Sequence, residues 1–156
     1  MSTTDVVIDA GRIEALIPHQ GDMSLWDEVL EWDDTSIRLR TRRHGDPHHP
    51  LRSDGQLRAV HLCEYGAQAM AVHGGLRANA AGGVARPGLL VALRRVELHV
   101  ARIDDLAGAL EGEARLLIDG DNGWQYDFRI HHDGRLLAEG RAAVMPELSG
   151  TRIAQQ

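Results

Sequence analysis

The segment that decides the fold is residues 57–79, LRAVHLCEYGAQAMAVHGGLRAN. Its apolar residues recur at intervals of three and four, which predicts a helix from Leu57 to Asn79. The residues in this pattern are Val60, Cys63, Ala67, Met70 and Ala71. Because many of the remaining side chains are those of Ala or Gly, neighbouring elements can approach closely on several sides. We therefore expect a buried central helix.

Strand patterns surround this helix on both sides. Leu25–Trp32 and Ser36–Arg42 flank the turn residues Asp33 and Asp34, which predicts a hairpin. After the helix, four apolar or alternating stretches predict strands at Leu89–Val100, Ala107–Ile118, Trp124–His131 and Leu136–Met145. The short connections between the last strands leave no room for crossover helices. The fold class is therefore α+β, with one long helix against an antiparallel sheet of about five to six strands.

The length of 156 residues fits a single domain. We assign residues 1–146 to this domain. Residues 147–156 follow the last predicted strand without a strand or helix pattern, and we expect them to form a flexible tail.

The charged residues exclude several classes of function. All 17 basic residues are Arg, against 23 acidic residues, which gives a net charge of −6. The absence of Lys excludes Schiff-base and P-loop lysine chemistry, and the single Cys excludes a disulfide framework or a thiolate zinc cluster. A net acidic chain is a poor general nucleic-acid ligand. Because neither a membrane span nor a secretory signal is recognisable, we expect a cytoplasmic protein without a nucleic-acid partner.

Residues that can carry chemistry concentrate in one loop and in the helix. The loop contains His44, His48 and His49, and the helix contains Glu64 and Gln68. A carboxylate among apolar and small side chains must be paired or neutralised unless it faces water. A metal site built from the three histidines with nearby aspartates matches no standard ligand spacing, so we expect neither a metal nor a cofactor.

Two segments resemble the FabZ-type 3-hydroxyacyl-acyl-carrier-protein dehydratases. IPHQGDMSLWDEVL, residues 17–30, is similar to the family's opening Leu-Pro-His-Arg segment, and EYGAQAM, residues 64–70, is similar to its helical Glu-Ala-Met-Ala-Gln motif. The version present here is closer to the small dehydratases of aryl-polyene biosynthetic clusters. The resemblance implies a hotdog fold, in which a sheet wraps one central helix.

The resemblance also implies an activity and a set of site residues. The activity is the dehydration of 3-hydroxyacyl thioesters on acyl carrier protein to trans-2-enoyl thioesters. The catalytic pair is then His49 and Glu64, with His44 and His48 as alternatives for the histidine. A neutral histidine suits removal of the α-proton, and a protonated Glu suits protonation of the leaving hydroxyl. The residues expected to bind substrate are His19, Gln68, Gly55 and Leu57, and backbone N–H groups of residues 56–59 are expected to stabilise the enolate.

The expected partners are an acyl carrier protein or a CoA thioester, and further copies of the chain in a homodimer or a higher oligomer. An acidic carrier would suit an arginine patch drawn from Arg42, Arg43, Arg52, Arg58, Arg94 and Arg95, unless these are scattered surface charges. The loop after His49 departs from the family's pattern, which leaves two alternatives open. One is a hotdog acyl thioesterase, and the other is a non-catalytic acyl-binding or heterodimer subunit.

Overall fold

The computed structural model describes residues 8–17, 21–83 and 88–146. The expected tail lies outside these residues, so its flexibility stays a prediction. The regular elements are α1 (Ala10–Leu16), β1 (Glu28–Trp32), β2 (Ser36–Thr41), α2 (Leu62–Ala80), β3 (Gly88–Leu98), β4 (Leu110–Gly120), β5 (Gly123–His132) and β6 (Arg135–Pro146). Single-turn 3₁₀ helices lie at Gly21–Met23, Arg43–Gly45 and Ala59–His61.

The six strands of the described chain form one antiparallel sheet in the order β1-β2-β4-β5-β6-β3. The β5–β6 hairpin turns at Asp133 and Gly134, whose φ angles are 48° and 77°. An Asp-Gly pair tolerates this left-handed backbone, which is why it is common in tight hairpin turns. Within the described residues β3 pairs with β6 alone, so β1 and β3 are the two edges of this sheet.

Alternating burial shows which face of the sheet is covered. In β2, Ile37, Leu39 and Thr41 are buried, and the residues between them are partly exposed. The helix α2 lies on the buried face, with Leu62, Tyr65, Ala69, Val72 and Leu76 among its buried residues. The predicted fold class, a long central helix within an antiparallel sheet, is therefore confirmed.

The long helix begins later than predicted. Leu57 and Ala59 extend along another segment: Leu57 accepts a hydrogen bond from the N–H of Ile103, and Ala59 donates its N–H to the carbonyl of Ala101. Since these bonds hold the backbone extended, α-helical geometry starts only at Leu62 after one 3₁₀ turn. Neither described helix is long and apolar enough to cross a membrane.

Candidate active site

The three loop histidines have different environments. His49 is buried, and its Nε2 lies 3.0 Å from the hydroxyl of Tyr65, which directly follows Glu64 on α2. His44 is also buried, but its Nε2 lies 2.8 Å from the carbonyl of Leu106. His48 is exposed. Among the three, His49 is the one that the structure brings against the helical turn carrying Glu64.

Local turns hold His49 in this position. Its backbone N–H donates to the carbonyl of Asp46, and its carbonyl accepts the N–H of Arg52. The N–H of Leu51 donates to the ring Nδ1 of His49 at 3.1 Å. The imidazole therefore contacts a hydrogen-bond partner through each of its two nitrogens.

Tyr65 is anchored on the opposite side by Trp26. The indole Nε1 donates to the carbonyl of Tyr65 at 2.8 Å, and the two rings meet edge to face with centroids 5.5 Å apart. The rings of Tyr65 and His49 are stacked, with an interplanar angle of 22°. Because Trp26 and Tyr65 are fully buried, the phenol that meets His49 is held within the core.

Glu64 and Gln68 lie one helical turn apart. Gln68 is fully buried; its Oε1 accepts the N–H of Leu25 at 2.8 Å, and its Nε2 donates to the carbonyl of Met23 at 2.7 Å. The same Nε2 also donates to Oε1 of Glu64 at 3.2 Å. Glu64 itself is half-buried. Gln68 thus connects the segment before β1 to Glu64, and its expected contact with substrate stays a prediction.

Burial determines the direction of several pKa shifts. Desolvation, followed by the nearby Arg43 cation, lowers the pKa of His49 below its ordinary value. Burial likewise lowers the pKa of His44 and raises the pKa of Tyr65 far above its ordinary value. It also raises the pKa of the Cys63 thiol, which argues against a thiolate nucleophile at this position. His49 is therefore favoured in its neutral form and Tyr65 as a phenol.

The other predicted substrate contacts have these positions. Gly55 is exposed, in a left-handed turn with φ 71°. Leu57 is fully buried and donates its N–H to Oδ1 of Asp104 at 2.8 Å. The N–H groups of Gln56 and Ala59 donate to carbonyl groups of the chain. In this conformation the expected enolate donors Gln56, Leu57 and Ala59 are therefore occupied. His19 lies outside the described residues.

A small cleft opens beside His49. Its volume of about 20 Å³ is close to that of one enclosed water molecule. Among its lining residues, Ser24 is buried, and its hydroxyl has no hydrogen-bond partner in the described part of the chain. Arg43 closes another side, donating to the backbone carbonyls of Ser24 and Trp26. A larger cleft, of about 500 Å³, lies on the outer face of the sheet and shares no residue with the predicted site.

One cluster of side chains has the composition of a metal site. Ligand atoms of Glu97, His99 and Glu139 lie within 4.8 Å of one another at the β3–β6 end of the sheet. Glu97 and His99 are exposed, and Glu139 forms an ion pair with Arg129 at 3.4 Å. The cluster contains none of the predicted catalytic residues.

Two groups that contribute to the site cannot be identified from the sequence alone. Tyr65 adjoins Glu64, and its polar side chain in an apolar helix is a signal for a buried hydrogen bond, but nothing in the sequence indicates the partner. Leu51 contributes only its backbone N–H. A side-chain pattern cannot reveal this contact.

The fold of the chain is similar to those of several solved structures. The dehydratase heterocomplex ApeI:P from Xenorhabdus doucetiae aligns with a TM-score of 0.79 and 22% identity, covering 92% of this chain and 95% of that chain. A Mycobacterium tuberculosis protein described as an esterase aligns with a TM-score of 0.57 and 18% identity, covering 78% of this chain and 90% of that chain. The phenylacetic acid degradation protein PaaI from Thermus thermophilus aligns with a TM-score of 0.55 and 17% identity, covering 76% of this chain and 91% of that chain. At these identities the similarities establish the fold.

The sheet, its central helix and these neighbours define a protein of the hotdog class. A family described as ApeP dehydratase matches residues 11–154, which is nearly the whole chain. The chain belongs to this ApeP-like dehydratase family. The predicted resemblance to the aryl-polyene dehydratases is thereby confirmed, and so is dehydration as the function. Among curated proteins, none shows significant similarity to the chain.

Proposed function

We propose that this chain converts 3-hydroxyacyl thioesters on acyl carrier protein to trans-2-enoyl thioesters, with Glu64 and His49 at the reacting centre. Membership of a dehydratase family supports the reaction. The main observation in support of this site is the 3.0 Å contact between Nε2 of His49 and the hydroxyl of Tyr65, which joins the loop to the helical turn of Glu64. His44 and His48 make no such contact in the described chain.

The chemistry requires only groups that this site contains. A thioester acidifies its α-proton, so one acceptor can remove it, and the leaving hydroxyl needs one proton. Imidazole and carboxyl groups can perform both transfers, so the proposed reaction requires neither a metal nor a nucleotide.

We propose that a second hotdog subunit covers the β3 side of the sheet. Leu90, Leu93 and Leu98 are between 38% and 47% exposed. They pair with residues of β6 on the face that α2 covers elsewhere: Ala142 and Ala138, the partners of Leu93 and Leu98, are buried. A free strand edge beside exposed leucines is a surface that a partner would bury.

The uncovered side of α2 adds to this surface. Glu64, Ala67, Ala71 and Gly74 are half-buried and recur at helical spacing, whereas the rest of the helix is largely buried. A partner packed there would enclose Glu64 in an apolar interface. A homodimer is the arrangement predicted from the sequence, and the Xenorhabdus doucetiae neighbour is named as a heterocomplex.

An acidic carrier would meet only part of the predicted arginine patch. Arg43 donates to backbone carbonyls of the segment before β1, and Arg52 donates to backbone carbonyls of its own loop. Arg42 pairs with Glu28 at 3.6 Å. Arg58 and Arg94 are exposed, as is Arg95. We therefore propose these last three as the residues available for carrier docking.

The assay offers the purified protein a 3-hydroxyacyl carrier thioester, alone and with a candidate partner subunit. We expect an enoyl thioester as the product, and loss of its formation in Glu64→Gln. Glu113→Gln is the matched control, since Glu113 is a half-buried residue of β4 on the other face of the sheet. Release of free thiol without enoyl product would support a thioesterase, and no product in either condition would support a non-catalytic subunit.

A further inference from the structure

The hydrogen bonds of His49 determine where its proton lies. A backbone N–H only donates, so the bond from Leu51 requires an unprotonated, accepting Nδ1. A neutral imidazole has one N–H, which must then be on Nε2. The 3.0 Å contact with Tyr65 is therefore a bond in which His49 donates and the phenol oxygen accepts. In this arrangement neither nitrogen of His49 has a free lone pair.

In a second Tyr–His pair, His73 and Tyr126, the hydrogen bond runs in the opposite direction. Nε2 of His73 lies 2.8 Å from the carbonyl of Asp33, which only accepts, so Nε2 carries the proton. Nδ1 of His73 then accepts the hydroxyl of Tyr126 at 2.8 Å. Both histidines are thus held in the Nε2–H tautomer, but Tyr65 accepts a hydrogen bond from His49, whereas Tyr126 donates one to His73.

We propose that Tyr65 and the Leu51 amide are positioning groups that hold His49 as a hydrogen-bond donor, so that Glu64 and not His49 is the base of the dehydration. The inference rests on the proposed function and reassigns the proton transfers within it. Glu64 lies in the same turn as Tyr65, on the uncovered side of α2, where a substrate can reach it.

The carboxylate of Glu64 can carry out both proton transfers of the reaction. The Cα–H bond breaks and its proton moves to Glu64, while the electron pair forms the Cα=Cβ bond and the Cβ–O bond breaks. The departing oxygen takes the proton back from Glu64 and leaves as water. Glu64 ends in the form in which it began, and His49 loses no proton.

The direct test is long-range proton–nitrogen NMR on protein labelled with ¹⁵N-histidine, in which His49→Gln identifies the signals of His49. We expect an Nε2–H tautomer near neutral pH with an observable Nε2 proton. That proton should exchange too fast to observe in Tyr65→Phe. Tyr126→Phe, the control, should leave the His49 signals unchanged and alter those of His73. An Nδ1–H tautomer or an imidazolium at His49 would overturn the proposal.

Kinetics provide the second test, since Gln can donate in place of Nε2–H but cannot remove a proton. We expect His49→Gln to lose less than about tenfold in kcat and Glu64→Gln to lose about 10²–10⁴-fold. If the wild type forms the enoyl product and His49→Gln is as inactive as Glu64→Gln, His49 is the base and the inference is wrong. If the wild type forms no enoyl product in any condition, the proposed function fails instead, while the NMR result still decides the tautomer.

Discussion

Gly66 of α2 lies directly against the ring of Phe128 on β5. A Cβ placed on Gly66 would come within 2.6 Å of two ring carbons, which is closer than real Cβ contacts permit. Gly140 on β6 approaches the same ring, and its Cβ would lie 2.8 Å from Cζ. Phe128 therefore occupies a space that exists only because two neighbouring residues lack side chains.

Gly66→Ala is expected to lower the free energy of unfolding by about 1–3 kcal/mol, because the buried ring cannot move away without displacing the sheet. Gly74→Ala is the control in the same helix, where nothing lies within 4 Å of the added Cβ. That change should raise the free energy of unfolding by about 0.5–1 kcal/mol. Urea denaturation measures both, and equal effects of the two substitutions would contradict the close-packing argument.

Gln68→Leu is expected to destabilise the protein by about 2 kcal/mol or more, because the N–H of Leu25 and the carbonyl of Met23 lose buried partners. Gln125→Leu is the matched control, since Gln125 on β5 makes no side-chain hydrogen bond in the described chain. Thermal denaturation compares the two. A change in Gln68→Leu no greater than that in the control would mean that the amide does not hold the segment before β1.

Stability is expected to fall in acid because of three buried histidines. Burial lowers the pKa of His44, His49 and His73 below the ordinary 6.5. Between the lowered pKa and 6.5 the unfolded chain binds more protons than the folded chain, so the free energy of unfolding rises with pH. This stability is complete above pH 6.5 and is lost as pH falls below it, by at most about 1.4 kcal/mol per pH unit for each histidine.

Urea titrations at several pH values measure this slope. His73→Gln should reduce it, because a buried group whose pKa is lowered in the folded chain is removed. A slope unchanged by His73→Gln would show that groups other than this histidine govern the acid transition.

Features determined by neighbouring residues were predictable from the sequence. The strand predicted at Ser36–Arg42 is observed at Ser36–Thr41, because its alternation directly reflects one buried and one exposed face. The strand predicted at Trp124–His131 is observed at Gly123–His132 for the same reason. The identity of Glu64 as a candidate likewise came from a short motif within one helix.

Features determined by distant residues were not predictable in this way. The start of α2 depends on bonds from Leu57 to Asp104 and Ile103, which the periodicity of residues 57–79 cannot show. The orientation of His44 depends on the carbonyl of Leu106. The sequence identified three possible histidines, and only the tertiary contact with Tyr65 distinguishes His49 from the others.

Leu93→Glu is expected to break the proposed subunit contact. Leu93 on the edge strand is 38% exposed in the single chain and shares its face with the covered core. A partner would bury it, and a charge there would then require desolvation without an opposite charge. Light scattering after size exclusion should show a loss of mass relative to wild type, together with a loss of dehydration.

Leu117→Glu is the matched control, because Leu117 is 39% exposed on the central strand β4, away from the free edge of the sheet. It should keep the wild-type mass and activity. A Leu93→Glu protein that keeps both would place subunit contacts on another surface. A protein that loses activity but keeps its mass would instead show that Leu93 acts on the substrate site without holding the subunits together.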